Sequence, residues 1–217
     1  MTVNQGGRPS KAPERIAEIL SATVGVVARE GLAGVTFAKV AEAAGLQRTL
    51  VHHYFGSRDQ LIGAFIDHAV GAIGTEILSR DAGESLHERV TSLFATGAYR
   101  SPDDLAVWLE LVALSTRDPE VRQRLHALWA DRWLPALEAQ LAEQYPGAPS
   151  DAVTTAAYAL ACLFEGHWSF SAQDLADERR QRQAERAALL VLDRLDAAQA
   201  AAAEAPEAAE AESAETN

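Results

Sequence analysis

The chain has 217 residues, a formal net charge of −12 and 48% hydrophobic residues. This length admits one or two domains with a sizeable core, and an alanine- and leucine-rich composition favours an all-helical protein. The single Cys162 excludes an internal disulfide, no apolar run reaches the roughly 18 residues of a membrane span, and the first residues lack the apolar core of a secretory signal, so a cytoplasmic protein is expected.

Charge is unevenly spread. Residues 1–60 carry 7 Lys/Arg against 5 acids, residues 61–196 carry 12 against 21, and residues 197–217 carry none against 5. A mildly basic head on an acidic body suits docking one end onto a polyanion.

In chain order, residues 1–11 read as a disordered arm. Pro13 suits a first helical turn, and Ile16, Ile19, Leu20, Thr23, Val24 and Val27 form a helical stripe closed by Gly31, which predicts a helix over 12–30. Leu32 to Val35 form a turn, and Thr36 is the expected N-cap of a second helix. Phe37, Val40, Ala41 and Ala44 recur at helical intervals; Gly45 supplies the positive φ of a sharp turn. The next segment, Gln47 to Phe55, is apolar at Leu50, Val51, Tyr54 and Phe55. Its other face shows Gln47, Arg48, Thr49, His52 and His53, rich in donors and nearly free of acid. The pattern is that of a helix-turn-helix, whose second helix suits a DNA major groove.

Ser57 can cap a fourth helix running to about Leu78, where Gly63, Gly71 and Gly74 predict close packing or bending. Asp81 to Gly83 is a loop. Further helices are expected over Glu84–Ala98, from Ser101-Pro102 to Ser115, and from Asp118-Pro119 to about Leu141 with a kink at Pro135. Ser150 is the expected cap of a helix to about Phe170 that is apolar almost all round. The last helix is placed at Asp174 to about Ala198. Together these make an all-α chain of about nine helices: a helix-turn-helix head over 12–57, a body over 58–197, and an acidic disordered tail over 198–217.

The combination of Thr36, Ala44-Gly45-Leu46, Gln47-Arg48-Thr49, His52-His53-Tyr54-Phe55 and Ser57-Arg58 resembles the TetR family of bacterial transcriptional regulators over about Arg15 to Ile66. There are departures: Gln47 stands where a capping Ser or Thr is common, Leu50 where a Thr is common, and His52 where a Tyr is common. Downstream, residues 106–133 and the later FEGHW are similar to the body of the BetI-type branch. The resemblance implies a ligand-responsive repressor that binds a near-palindromic double-stranded operator as a homodimer and is released by a small-molecule effector. It implies no cofactor, no metal and no membrane, and association with the nucleoid when bound.

By the same resemblance, Arg48 and Thr49 reach base edges. His52 meets a base or a phosphate, and His53, Tyr54 and Arg58 contact phosphates, with Gln47 and Thr36 as further donors. An effector pocket is expected among Trp108, Glu110, Val112, Trp129, Trp133, Phe164, His167 and Trp168, apolar walls with a few polar groups. The dimer surface is expected on the last two helices, at Val153, Ala157, Leu160, Phe164, Leu189, Leu192 and Leu195, residues too apolar to face water. A DNA-binding adaptor of the same fold without an inducer is the alternative. An enzyme is not expected: no G-x-S-x-G, GxGxxG, P-loop lysine or metal-spaced His/Cys cluster is present, and the adjacent His52-His53 diverge on a helix rather than chelate.

Overall fold

The computed structural model describes residues 11–79, 85–94 and 101–215, and among these all regular structure is helical. The arm before Lys11, the loop at 81–83, and both Glu84 and residues 95–98 of the expected fifth helix lie outside the described residues.

The head is α1 (Ala12–Glu30), α2 (Phe37–Ala43) and α3 (Arg48–Phe55), followed by α4 (Arg58–Ser79). The body is α5 (Leu86–Phe94), α6 (Pro102–Ser115), α7 (Pro119–His126), α8 (Leu134–Gln144), α9 (Ser150–Ser171) and α10 (Glu178–Glu215). Local chemistry sets most helix starts. The Oγ1 of Thr36 accepts from the Lys39 amide at 3.3 Å, Ser101 caps Asp104 at 3.2 Å, and Asp118 accepts from Glu120 and Val121 at 2.9 and 3.2 Å. Ser57 and Gln60 exchange side-chain-to-amide bonds of 3.1 and 3.2 Å, a capping box before α4.

Four expectations are corrected. Ser150 is the first residue of α9 and makes no cap; Pro149 precedes it. The last helix starts at Glu178, not Asp174, because Asp174 sits at φ 55 in a turn and Asp177 is the residue that accepts from the Arg180 amide, at 2.8 Å. That helix runs on to Glu215, beyond the boundary set at residue 198, through an alanine-rich stretch that also contains Pro206. Gly63 and Gly71 of α4 do not mark close packing: a Cβ at either would have nothing within 4 Å. The strain expected at Pro135 is taken up by a π-helical stretch, Ala127–Trp133, after which Pro135 lies in the first turn of α8, where its missing N–H costs little.

Head and body share one continuous core. Ile19, Val40, Val51, Leu61 and Phe65 close the head, while Trp108, Leu111, Leu128, Leu141, Phe164 and Leu192 close the body, all nearly inaccessible. α1 packs on both α2 and α6, and α4 packs on α1, α6, α7 and the π-helical stretch. The Arg124 guanidinium adds a 2.6 Å ion pair to Asp67 across α4 and α7. No helix among the described residues is long and apolar enough to cross a membrane.

Candidate nucleic-acid interface and effector site

The helix-turn-helix is built around Gly45, at φ 66, which lets the Leu46 amide reach the Ala41 carbonyl at 2.8 Å and turns the chain into α3. Val51 and Phe55 pin α3 to the core, and Leu50 and Tyr54 are half-buried beside them. A helix held on that side must present the opposite one. Gln47, Arg48, Thr49, His52 and His53 are exposed there, on successive turns. Gln47 precedes the helix without a side-chain cap, as its departure from Ser or Thr leads one to expect. His52 meets the edge of Phe37 at 5.5 Å, and His53 the edge of Tyr54 at 5.4 Å, so both imidazoles are oriented by a neighbouring ring.

Arg58 and Lys39 have partners inside the head. The Arg58 guanidinium donates to the Val35 carbonyl at 2.8 Å and to the Leu32 carbonyl at 2.7 Å, bracing the turn that leads into α2. Lys39 forms an ion pair with Glu30. On α3, by contrast, no ion pair engages the exposed Arg48 among the described residues.

The tryptophans meet in the body, but as packed core. Trp108 lies edge-on to Trp129 at 6.0 Å and to Trp168 at 6.4 Å, Trp129 to Trp133 at 5.0 Å, and Trp133 stacks on Phe164 at 6.3 Å and 10°. Phe164 reaches Trp168 at 4.3 Å, and His167 touches Phe94 at 5.3 Å. The free space beside this cluster, lined by Trp133, Phe164, Phe94 and Leu160 among others, is about 20 Å³, room for about one water. Two residues expected in the pocket are elsewhere. Val112 is 37% exposed on the outside of α6, and Glu110 accepts from the Leu32 amide at 3.2 Å, facing the head. Residues 108, 110 and 112 cannot share a helix face, because two steps turn through about 200°.

Glu165 is the polar group that does enter the cluster. Its Oε2 accepts from the Trp108 indole N–H at 3.2 Å, while its buried Oε1 has no hydrogen-bond partner among the described residues. Burial pushes its carboxyl up to about 6, against the opposing effect of the Trp108 hydrogen bond. Burial also holds His167 below the usual histidine range, opposed by a hydrogen bond to the Phe94 main chain. No group of three or more His, Cys, Asp or Glu side chains suited to a metal occurs among the described residues.

The expected dimer surface is also corrected. Val153, Ala157, Leu160, Phe164, Leu192 and Leu195 are buried within the one chain, and Leu189 is half-buried against the same core. The reason is helical register: α5, α8 and α10 cover one side of α9, so its other side is the free one. That side carries Tyr158, 64% exposed, then Cys162, Gly166 and Phe170, and on α10 Leu190 is 54% exposed. The signal was present in the sequence as an i, i+4 series from 158 to 170. An open groove of about 570 Å³ runs between the two helices, lined by Thr155, Ala159, Val191 and Arg194.

With this geometry in view, three comparisons bear on the chain. Residues 19–65 match the family model described as bacterial regulatory proteins, tetR family. A 125-residue stretch is 32% identical to the HTH-type transcriptional regulator BetI of Rhizobium meliloti strain 1021, covering 55% of this chain and 61% of that protein. The chain thus spans about three fifths of the length of the curated relatives it matches. Among solved structures, a Pseudomonas aeruginosa PAO1 chain superimposes with a TM-score of 0.68 at 21% identity, over 89% of this chain and 97% of that one. Salmonella enterica GusR superimposes at 0.64 and 20% identity, over 88% and 100%. Identities this low speak for the fold.

Proposed function

We propose that the chain is a member of the TetR family of bacterial regulatory proteins, which its head matches, and that it regulates transcription by binding a near-palindromic operator as a homodimer. The observation that carries this is the exposed face of α3. Arg48 and Thr49 stand at its start, where side chains reach base edges, with His52 and His53 one turn on toward the flanking phosphates. Tyr54 and Gln47 flank that face, Thr36 caps the helix behind it, and Arg58 holds the supporting turn. Two such helices enter successive major grooves when the dimer axis lies on the operator dyad.

The face of α9 and α10 bearing Tyr158, Phe170 and Leu190 supports the dimer, since large apolar groups there are left to water by the single chain. An effector that opens the aromatic cluster around Trp133 and Phe164 would bind more tightly to a conformer with mis-spaced heads. It lowers DNA affinity only by that difference in affinity. The alternative reading is an adaptor of this fold with no inducer. Thermal shifts against a metabolite panel separate the two: an inducer raises the melting temperature and releases DNA.

DNA binding is tested with duplexes selected from a random library. Arg48→Ala with His53→Ala should weaken binding and flatten its salt dependence. Unchanged affinity and unchanged slope would remove the α3 face from the interface.

A further inference from the structure

The free side of α9 changes character along its length. Toward the N-terminal end it is hollow. The open groove of about 570 Å³ is lined there by Ala152, Thr155 and Ala159 of α9 and by Val191, Arg194 and Ala198 of α10. Toward the C-terminal end it carries a knob, Phe170, which is 51% exposed. Between the two the face is small and open: Cys162 is exposed, and a Cβ on Gly166 would have nothing within 4 Å. Phe170 stands beyond Thr155 by about 22 Å of helix.

Hollow and knob share one flank. At about 100° per residue, Ala159 and Phe170 point within about 20° of each other. A two-fold axis that crosses α9 midway between groove and knob reverses the helix and keeps the flank. It therefore lays the knob of each chain over the hollow of the other. The heads permit this axis. α6, which packs on α1 of the head, meets α9 at Glu165 through the Trp108 indole. Ala156, in the groove against α10, lies about 180° round α9 from Glu165. An axis that runs from the α6 side to the α10 side keeps both heads on the same side of the pair. Charge agrees with it: Arg194 of the groove and Asp174, four residues past Phe170, are exposed, and neither has an ion pair among the described residues.

We propose that the groove between α9 and α10 is the socket for Phe170 of a second copy. The two α9 helices run antiparallel, Arg194 meets the partner's Asp174, and Cys162 lies beside the axis. The occupant is this same chain because knob and hollow are spaced on one flank so that the reversed copy matches both, and an isologous pair makes the contact twice. Phe170 thereby becomes the residue that selects the partner: a related chain without an aromatic group at that place leaves the hollow unfilled. The inference rests on the reading of α9 and α10 as the dimer face and adds to it the register.

Sedimentation equilibrium of the full-length chain measures the pair, and Cys162, the single cysteine, reports the register. Wild type should dimerise, and a short bis-maleimide, which adds one thiol at each end, should join two chains through Cys162. Phe170→Ala empties the socket and Thr155→Phe fills it; both positions are exposed in the single chain, so helix content should be unchanged. Each should raise the dimer dissociation constant about a hundredfold, roughly tenfold for each of the two symmetric contacts. The two substitutions together should regain most of the lost affinity, because the ring added at 155 enters the space left at 170 of the partner. A dimer indifferent to both single variants, a double variant no tighter than either, or a dimer that is not joined through Cys162 overturns the register while leaving the dimer face in place. A wild type that stays monomeric at all concentrations removes the dimer reading itself, and the socket with it.

Discussion

Glu165→Gln tests the electrostatics of the aromatic cluster. An ordinary glutamate near 4.5 pushed up to about 6 by burial implies that the folded chain disfavours the charged form by about 2 kcal/mol. The sign follows from the proton count. Below about 4.5 both folded and unfolded chains hold the proton, and stability is unaffected. Between about 4.5 and about 6 the unfolded chain has released it while the folded chain retains it, so stability falls as pH rises; above about 6 the loss is complete. Gln keeps the acceptor for the Trp108 indole and removes the ionisation. Urea unfolding of wild type and variant from pH about 4 to about 8 should show their stability difference moving by about 2 kcal/mol in favour of the variant, nearly all of it before pH about 7. His167 is depressed by burial and gives a slope of opposite sign, but it is present in both proteins and cancels in the difference. A difference that stays flat across this range would refute a buried, half-partnered carboxyl.

Four further outcomes follow from the packing. Leu192→Ala, at a fully buried position, should cost about 2–5 kcal/mol in chemical unfolding, whereas Leu190→Ala, two residues away, should change the monomer little. Leu190→Asp should convert a dimer to monomer in sedimentation equilibrium; a dimer that persists unchanged would place the interface elsewhere. Gly45→Ala should destabilise by about 1–2 kcal/mol through its positive φ, while Gly63→Ala, in a helix with room for a methyl group, should stabilise by about 0.5–1 kcal/mol. Arg58→Lys should lower the melting temperature nearly as much as Arg58→Ala, because the two carbonyls are held by two separate nitrogens of a rigid fork, Nε and Nη2, and the donors of an ammonium all radiate from one flexible nitrogen; full retention by lysine would deny the brace.

Helix starts were legible because they depend on a few neighbouring residues: Thr36, Ser57, Ser101 and Asp118 each find their amide within three positions. The exposed face of α3 was legible for a related reason. Val51 and Phe55 on one side of an eight-residue helix leave Arg48, Thr49, His52 and His53 little choice of direction. The reading of the body went wrong where the residues offer two solutions. α9 is apolar on both sides, and residues 150–171 do not say which side meets α8 and α10 and which is left exposed. Glu110 was grouped with the tryptophans because it is near them in sequence, although helical geometry sends it the other way.

By itself, then, the order of residues determined an all-helical chain, the glycine-centred turn of the helix-turn-helix and the donor-rich face of α3, because propensity, capping and short-range periodicity act within a few residues. Tertiary structure alone decided that the tryptophans pack into a nearly closed core, that the free apolar face belongs to Tyr158 and Leu190, and that Glu110 and Arg58 grip one turn of the head. Those outcomes depend on contacts between residues 26 to 78 positions apart, and which helix sides meet across such distances is settled by the packing of the whole core.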